Sequence, residues 1–309
     1  MLNRHRLRAA LPFFSLAIVL AATFYVQPRT MSYFGLNLML QYAVPIALAT
    51  IAQMFIITVN DLDLSVGPFV GLVGCIAATT LNDNPAVGIA ALVACIGTYA
   101  MVGALIHVRN LPSIVVTLGL SFVWLGIAVT ILPSPGGKAP DWLKSLMAFQ
   151  MPYIPFPIVA AIVIGGVVHL ALMTSSFGVV ARGAGGNPKA LARAGWSILY
   201  TKMVMYSLAG FFGVLAGLSL LGLTTSADAH VADRYTLYAI AGVILGGGEF
   251  IGGRVNPLGA VVGALTLALA GSFLIFLKIS PDWQIGAQGA VLIIVLAMRA
   301  LITYGEGRR

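Results

Sequence analysis

The sequence predicts an all-α polytopic transmembrane helical bundle of about ten spans, and three observations carry that prediction. Sixty per cent of the 309 residues are hydrophobic and only 8% are charged, against roughly 25% charged in a soluble domain. A chain so poor in charge cannot clothe a water-facing surface, but hydrocarbon solvates apolar side chains. The apolar residues gather in runs near the length that crosses a bilayer core, about 20 residues for about 30 Å. Glycine is abundant, 35 of 309 residues, above the usual share of about 7%, and small residues let helices approach closely in lipid.

Read in order, the spans fall at about 10–27, 35–59, 66–81, 86–107, 111–132, 156–173, 202–223, 235–248, 257–277 and 284–301. Arg4, Arg6 and Arg8 precede the first run, which resembles a signal peptide with Val19-Leu20-Ala21 as a weak cleavage site. A many-span chain needs no separate signal, and removing this run would invert the charge pattern below, so it is kept as a span. The third and eighth runs are short for a straight crossing. They suit broken helices that begin part-way into the membrane, which is allowed where protein surrounds the loose backbone. Residues 133–155 form the longest outer loop and residues 174–201 the longest inner one. The whole chain, 1–309, reads as a single transmembrane domain with no low-complexity tract and no soluble domain at either end.

Orientation follows from the basic residues, which accumulate on the cytoplasmic side. With the N-terminus inside, Arg4, Arg6, Arg8, Arg109, Arg182, Lys189, Arg193, Lys202, Arg254, Arg299, Arg308 and Arg309 are cytoplasmic. Arg29, Lys138, Lys144, Arg234 and Lys278 are outside. Both termini are then cytoplasmic. The net charge of +8 therefore speaks for topology, and no nucleic-acid partner is expected. Trp142, Trp196 and Trp283 fall near predicted boundaries, as interfacial anchors do. Cys75 and Cys95 lie inside apolar runs and read as small buried residues. Gly67/Gly71, Gly213/Gly217, Gly242/Gly246 and Gly259/Gly263 have GxxxG spacing. Tight packing within one subunit explains them more simply than a dedicated dimer seam.

The missing motifs set the class. Gly136-Gly137-Lys138 lacks the upstream glycine and following hydroxyl of a phosphate-binding loop, so the chain is not expected to hydrolyse ATP. Neither H-E-x-x-H nor G-x-S-x-G occurs. His5, His107, His169 and His230 are scattered, without metal-ligand spacing. No catalytic residue, metal site or cofactor is expected in this chain.

Three segments stand out. In the inner loop, Asn187 suits an N-cap, Pro188 the first helical position and Gly195 a left-handed terminator. The helix between them has about two turns and cannot stand alone. Ala190 and Ala194 share one face of it; either another protein approaches there or the helix lies at the membrane surface. The second segment is Asn60-Asp61-Leu62-Asp63-Leu64-Ser65-Val66-Gly67. Carboxylates beside a span usually face protein or a water-filled path; the plainer reading is a cytoplasmic turn with Asp63 capping the next helix. The third is the glycine-rich Gly246-Gly247-Gly248-Glu249-Phe250-Ile251-Gly252-Gly253-Arg254, a tight interhelical turn more than a phosphate site. Gln41, Gln53, Asn60 and Ser121 are polar candidates for a solute path, and interhelical hydrogen bonding is their alternative role.

Together these segments resemble the ribose-type carbohydrate permease family of ABC importers. Asp63-Leu64-Ser65-Val66-Gly67 resembles the end of that family's Gly-Gly-Ile-Asp-Leu-Ser-Val-Gly signature. Gly185–Gly195 resembles its cytoplasmic ATPase-coupling segment, and Tyr235–Gly259 its later glycine-rich block. The likeness runs from about residue 36 to 300. The chain departs from the family at Asn60-Asp61, where Gly-Gly is usual, at Thr236, where Glu is usual, and at Val255-Asn256-Pro257, where a glycine is common. These departures leave open which sugar or sugar alcohol is carried. The resemblance implies a multi-pass permease of the bacterial inner membrane that passes a sugar from periplasm to cytoplasm. Its partners would be a second permease subunit (as a homodimer), an ABC ATPase that binds ATP and Mg, a periplasmic solute-binding protein and the lipid bilayer. It also implies that Asn187, Pro188, Ala190, Ala194 and Gly195 couple to the ATPase.

Two other classes compete. An ion-driven secondary transporter usually carries ionisable groups near the membrane midplane, whereas Asp61 and Asp63 stand near a span edge in the sequence. An intramembrane enzyme lacks a visible catalytic constellation. Within the permeases, a branched-chain amino-acid importer is the alternative, and Asp63-Leu64-Ser65 favours the sugar group.

Overall fold

The computed structural model describes residues 4–278 and the separate helical positions 283, 286, 289, 290 and 293, with side chains from residue 10 onward. Regular structure among the described residues is helical, apart from one isolated bridge between Gly136 and Ala227. The helices are α1 (Arg4–Val26), α2 (Tyr33–Leu40), α3 (Ala43–Thr58), α4 (Val66–Thr80), α5 (Pro85–Arg109), α6 (Ser113–Ile131) and α7 (Asp141–Met147). They continue with α8 (Phe156–His169), α9 (Ser176–Gly186), α10 (Pro188–Arg193), α11 (Ile198–Thr224), α12 (Tyr235–Leu245) and α13 (Pro257–Phe276). A 3-10 turn at Pro28–Met31 precedes α2, and a π turn at Leu170–Thr174 extends α8.

Each of the first nine predicted spans holds a helix. By length and composition, α5, α6, α8 with its π turn, α11 and α13 can each cross a membrane singly. Helices α2 and α3 qualify together as one span bent by 40°. The apolar part of α1, α4 and α12 are shorter. The predicted tenth span, 284–301, lies almost wholly outside the described residues, as do Arg299, Arg308 and Arg309. Both long loops hold helices the sequence reading left out: α7 lies within 133–155 and α9 within 174–201. Helix α9 is started by Ser175, whose hydroxyl accepts from Gly178 N–H, and it buries Ala181, Ala184 and Gly185. Its glycines had disguised that face as a loop.

Local chemistry starts and stops the helices. Ser32, Ser197 and Asn256 cap α2, α11 and α13 by accepting from the N–H three residues on. Proline opens α5, α10 and α13. Asn110 closes α5 in the left-handed conformation, φ 49°.

Helix α11 runs through the middle of the bundle against α3, α4 and α5, while α12 lies between α3 and α13 and α1 packs along α13. All four GxxxG pairs pack within the chain. Gly213 meets Phe69 and Gly217 meets Val73, so α4 lies parallel to α11. Gly242 and Gly246 meet Gly263 and Gly259, which sets α12 antiparallel to α13. Gly67 and Gly71 receive the carbonyls of Ala232 and Ala229 from the segment leading into α12. Cys75 and Cys95 are buried and unpaired with each other.

The register of α4 against α11 locates its start. Phe69 faces Gly213, so α4 begins roughly 18 Å along α11 at about 1.5 Å per residue. Its other end, at Ala78, receives Lys138 N–H of the loop 133–155 at 3.2 Å. Helix α12 begins at the same depth, because the Thr236 hydroxyl accepts from Gly67 N–H at 2.9 Å. It then runs the other way, to the glycine-rich turn beside α9. The two short helices therefore start at one interior point and leave in opposite directions, as broken helices do where protein surrounds the backbone.

At the end of the bundle away from α10, the loop 133–155 is fastened down. Ala139 N–H donates to the Thr225 carbonyl at 2.9 Å, and the Asn82 amide donates to the Lys138 carbonyl at 2.7 Å. Lys144 pairs with Asp141 at 2.6 Å and holds that exposed carboxyl below its ordinary range.

Candidate functional site

Residues 59–65 cross the interior between α3 and α4, and polar side chains from five helices converge on them. A backbone without secondary structure carries N–H and C=O groups that must find partners once water is excluded. Side chains supply them. From α6, the Ser113 hydroxyl accepts from Leu62 N–H and the Thr117 hydroxyl from Leu64 N–H, each at 3.1 Å. From α3, the fully buried Gln53 turns its amide to donate to the Asp63 carbonyl at 3.0 Å and to accept from Asp63 N–H at 3.2 Å. From α12, Thr236 holds Gly67.

The two carboxylates sit differently. Asp63 is fully buried. One of its oxygens accepts from Ser65 N–H at 2.7 Å and from the Ser65 hydroxyl at 2.6 Å; the other accepts from the Tyr99 hydroxyl of α5 at 2.8 Å. Tyr99 stacks on Trp124 and packs against Phe69. Asp61 accepts from the Lys202 ammonium at 2.7 Å and from the Tyr206 hydroxyl at 3.1 Å, both on α11. That ion pair is largely enclosed, with side-chain exposures of 16% for Lys202 and 9% for Asp61.

This geometry changes the reading of the segment. Asp63 is not in a surface turn and is not the N-cap of α4, a position held by Ser65. Its partner Tyr99 lies against Gly210, roughly 18 Å from the start of α11. A residue near a span edge in sequence is deep in space, because α4 begins part-way through the bundle. The edge position of Asp61 and Asp63 in the sequence therefore has no force against an ion-driven transporter.

Asn60 joins three segments that the sequence offered separately. It adopts φ 61°, a left-handed conformation that Asn tolerates better than most residues. Its side-chain amide donates to the Gly185 carbonyl at the end of α9 at 2.5 Å. Its side-chain oxygen accepts from Gly252 N–H at 2.9 Å. The backbones are in contact here: a methyl group on Gly185 would run into the Thr58 carbonyl, and one on Gly253 into the Arg182 carbonyl. Gly253 also has φ 64°, so both its space and its dihedral demand glycine. Across the same turn, Glu249 N–H donates to the Arg254 carbonyl and the two side chains pair at 3.4 Å. Gly246 and Gly247 lead into it.

Helix α10 extends directly from this junction. Asn187 caps it by accepting from Ala190 N–H at 3.0 Å, Pro188 occupies its first turn, and Gly195, φ 87°, closes it. Asn187, Pro188, Ala190, Ala194 and Gly195 are all exposed, while Leu191 turns inward towards Gly183.

The structure thus brings Gln53, Asn60, Asp63, Leu64, Ser65, Gly67, Gly252 and Gly253 into one region and attaches α10 to it. It does not bring in Ser121, whose hydroxyl donates within its own helix to the Leu118 carbonyl. Nor does it bring in Gln41, which lines a cleft of about 220 Å³ at the other end of the bundle with Asn37, Gln150, Phe34 and Phe156. Sequence reasoning missed Tyr99, Ser113, Thr117, Lys202 and Tyr206. Their signal is slight: single polar groups in or beside apolar runs, with no spacing that links them.

A multi-pass helical bundle with an interior loop between α3 and α4 and two half-length helices suits a membrane permease. The chain belongs to the family described as branched-chain amino acid transport system / permease component, whose model matches residues 35–296. It is 27% identical over 293 residues to the ribose import permease protein RbsC of Haemophilus influenzae, covering 92% of this chain and 90% of that one. It is 27% identical over 313 residues to the galactose/methyl galactoside import permease protein MglC of Escherichia coli K12, covering 93% and 92%. With RbsC of Bacillus subtilis it shares 28% identity over 297 residues, covering 93% and 91%. No solved structure matches the chain.

Proposed function

We propose that this chain is the membrane-spanning permease subunit of an ATP-driven importer for a sugar or sugar-like solute. The observation that carries the reading is its similarity, over nine-tenths of its length, to permeases named for ribose and galactose import. The Asp63-Leu64-Ser65 loop, to which five helices contribute, supports it from within the chain. The chain works in the inner membrane beside a second permease subunit, a copy of itself. An ATP-hydrolysing subunit docks on the cytoplasmic end that carries α10 and binds the ATP and Mg; this chain hydrolyses none. A periplasmic binding protein delivers solute at the end that carries 133–155. Closure of the ATPase displaces the exposed face of α10, and the displacement biases the bundle between inward- and outward-facing states. Such a bias requires that the partner bind the two states with different affinity.

Reconstitution tests this. Proteoliposomes holding the chain, its ATPase and its binding protein are offered labelled ribose and galactose. Uptake is expected only with ATP inside and binding protein outside. Uptake by the chain alone on a proton or sodium gradient would replace this reading with the secondary transporter.

A further inference from the structure

We infer that Asn60 is a positioning residue for transport: its two side-chain hydrogen bonds latch the start of the 61–67 loop both to the arm that carries α10 and to the glycine-rich turn. The bonds run to two different elements. One reaches the Gly185 carbonyl at the end of α9, the other Gly252 N–H in the turn between α12 and α13. Beyond Asn60 the loop passes directly to Asp61, fixed on α11 by Lys202 and Tyr206, and to Asp63, fixed on α5 by Tyr99.

The packing around the latch is rigid. Gly185 and Gly253 allow α9, the end of α3 and the glycine-rich turn to meet backbone to backbone. There is no slack side chain to absorb a shift. An arm displaced relative to α3 must carry Asn60 with it, and so break its bond to Gly252, or break the bond at Gly185. Asn60 itself is exposed, so water competes for its partners and the latch is weak enough to open. A typical intramolecular hydrogen bond changes an equilibrium about two- to twelvefold. Asn60 is therefore suited to release under the work of a partner, not to lock the bundle permanently.

The test uses two substitutions. Asn60→Gly removes both bonds and tolerates the positive φ, so the backbone is not strained. Asn60→Asp keeps an acceptor for Gly252 N–H and loses the donor to the Gly185 carbonyl. The first measurement is amide hydrogen exchange on the purified full chain in lipid nanodiscs. Asn60→Gly is expected to speed exchange about three- to tenfold over both 183–187 and 252–254. Asn60→Asp is expected to speed it over 183–187 only. Unchanged exchange in Asn60→Gly overturns the latch. The second measurement rests on the importer reading and uses the reconstituted complex. There Asn60→Gly is expected to raise ATP hydrolysis without binding protein several-fold and to lower solute moved per ATP by a similar factor, with assembly unchanged. A wild-type ratio of solute to ATP overturns the role in transport even where exchange has changed. Failure of the wild-type chain to assemble with its ATPase would instead overturn the importer reading, and the exchange experiment would still decide the latch.

Discussion

The Tyr99 hydroxyl donates to the Asp63 carboxylate at 2.8 Å, joining the middle of α5 to a loop 36 residues earlier in the chain. Both side chains are buried. In such a site, removing one donor leaves a lone pair with neither protein nor water, and the cost is about 1–3 kcal/mol. Tyr99→Phe keeps the ring against Phe69 and Trp124 and removes only the hydroxyl, which also lies 3.2 Å from the Ser65 hydroxyl. It is expected to lower stability by about that amount, read as a fall in thermal midpoint in detergent. A wild-type midpoint would show that the hydroxyl contributes nothing.

Lys202 and Asp61 should behave as a coupled pair. Removing one partner of a fully buried pair costs about 3–5 kcal/mol. Because part of each side chain still meets solvent, about 2–3 kcal/mol is expected for Lys202→Met. Asp61→Asn in that background removes the stranded charge, so the double substitution should be less destabilised than the two single costs added together. Strict additivity in this double-mutant cycle would mean that the 2.7 Å contact carries no interaction energy.

Two glycines with positive φ separate backbone strain from steric contact. Gly195, φ 87°, has nothing within 4 Å of where a methyl group would stand; Gly253, φ 64°, has the Arg182 carbonyl there. Gly195→Ala is expected to cost only the left-handed penalty, about 1–2 kcal/mol. Gly253→Ala must add the displacement of α9 and should cost distinctly more. The comparison is made on thermal midpoint and on protease cleavage within 183–195. Equal effects would remove the argument for close packing at this junction.

The basic-residue pattern predicts that the loop at Ser145 and the helix at Ala190 face opposite sides of the membrane. Single cysteines at these positions, in a chain from which Cys75 and Cys95 have been removed, are exposed to an impermeant thiol reagent in intact spheroplasts. Only the one at Ser145 is expected to react. Reaction of both would refute the orientation.

Ala194→Arg probes α10. If its small-residue face packs on the ATPase, a long cation there must open the contact or be buried unpaired, at a cost of several kcal/mol. If the face is only solvated, a change of about 0.5 kcal/mol is expected. The importer reading predicts normal insertion and yield with loss of ATPase co-purification and uptake, and much less harm from Lys189→Ala. Wild-type association for Ala194→Arg would remove this face from the proposed interface.

The bundle was legible because apolar run length is a direct consequence of bilayer thickness. The caps and stops of α10 were legible for a similar reason: Asn187, Pro188 and Gly195 act within a few residues of themselves. Even the early starts of α4 and α12 showed in the shortness of their runs. What stayed hidden depends on contacts between distant segments. Nothing local to Asn60 announces Gly185 and Gly252, and nothing local to Asp63 announces Tyr99. The departures at Asn60 and Asp61 were visible as departures; only the fold shows that each has found partners. The depth of Asp63 was misjudged because sequence distance from a run's edge was read as distance from the membrane's edge, and a half-length helix breaks that equivalence.

The shared starting point of α4 and α12 has an electrical consequence. Each helix carries the equivalent of about half a positive charge at its N-terminus, and here two such ends are brought together inside an apolar bundle. Asp61 is already paired with Lys202, and the Asp63 carboxyl accepts from Ser65 N–H at the start of α4. The positive end of α4 therefore meets an acceptor that the protein itself supplies.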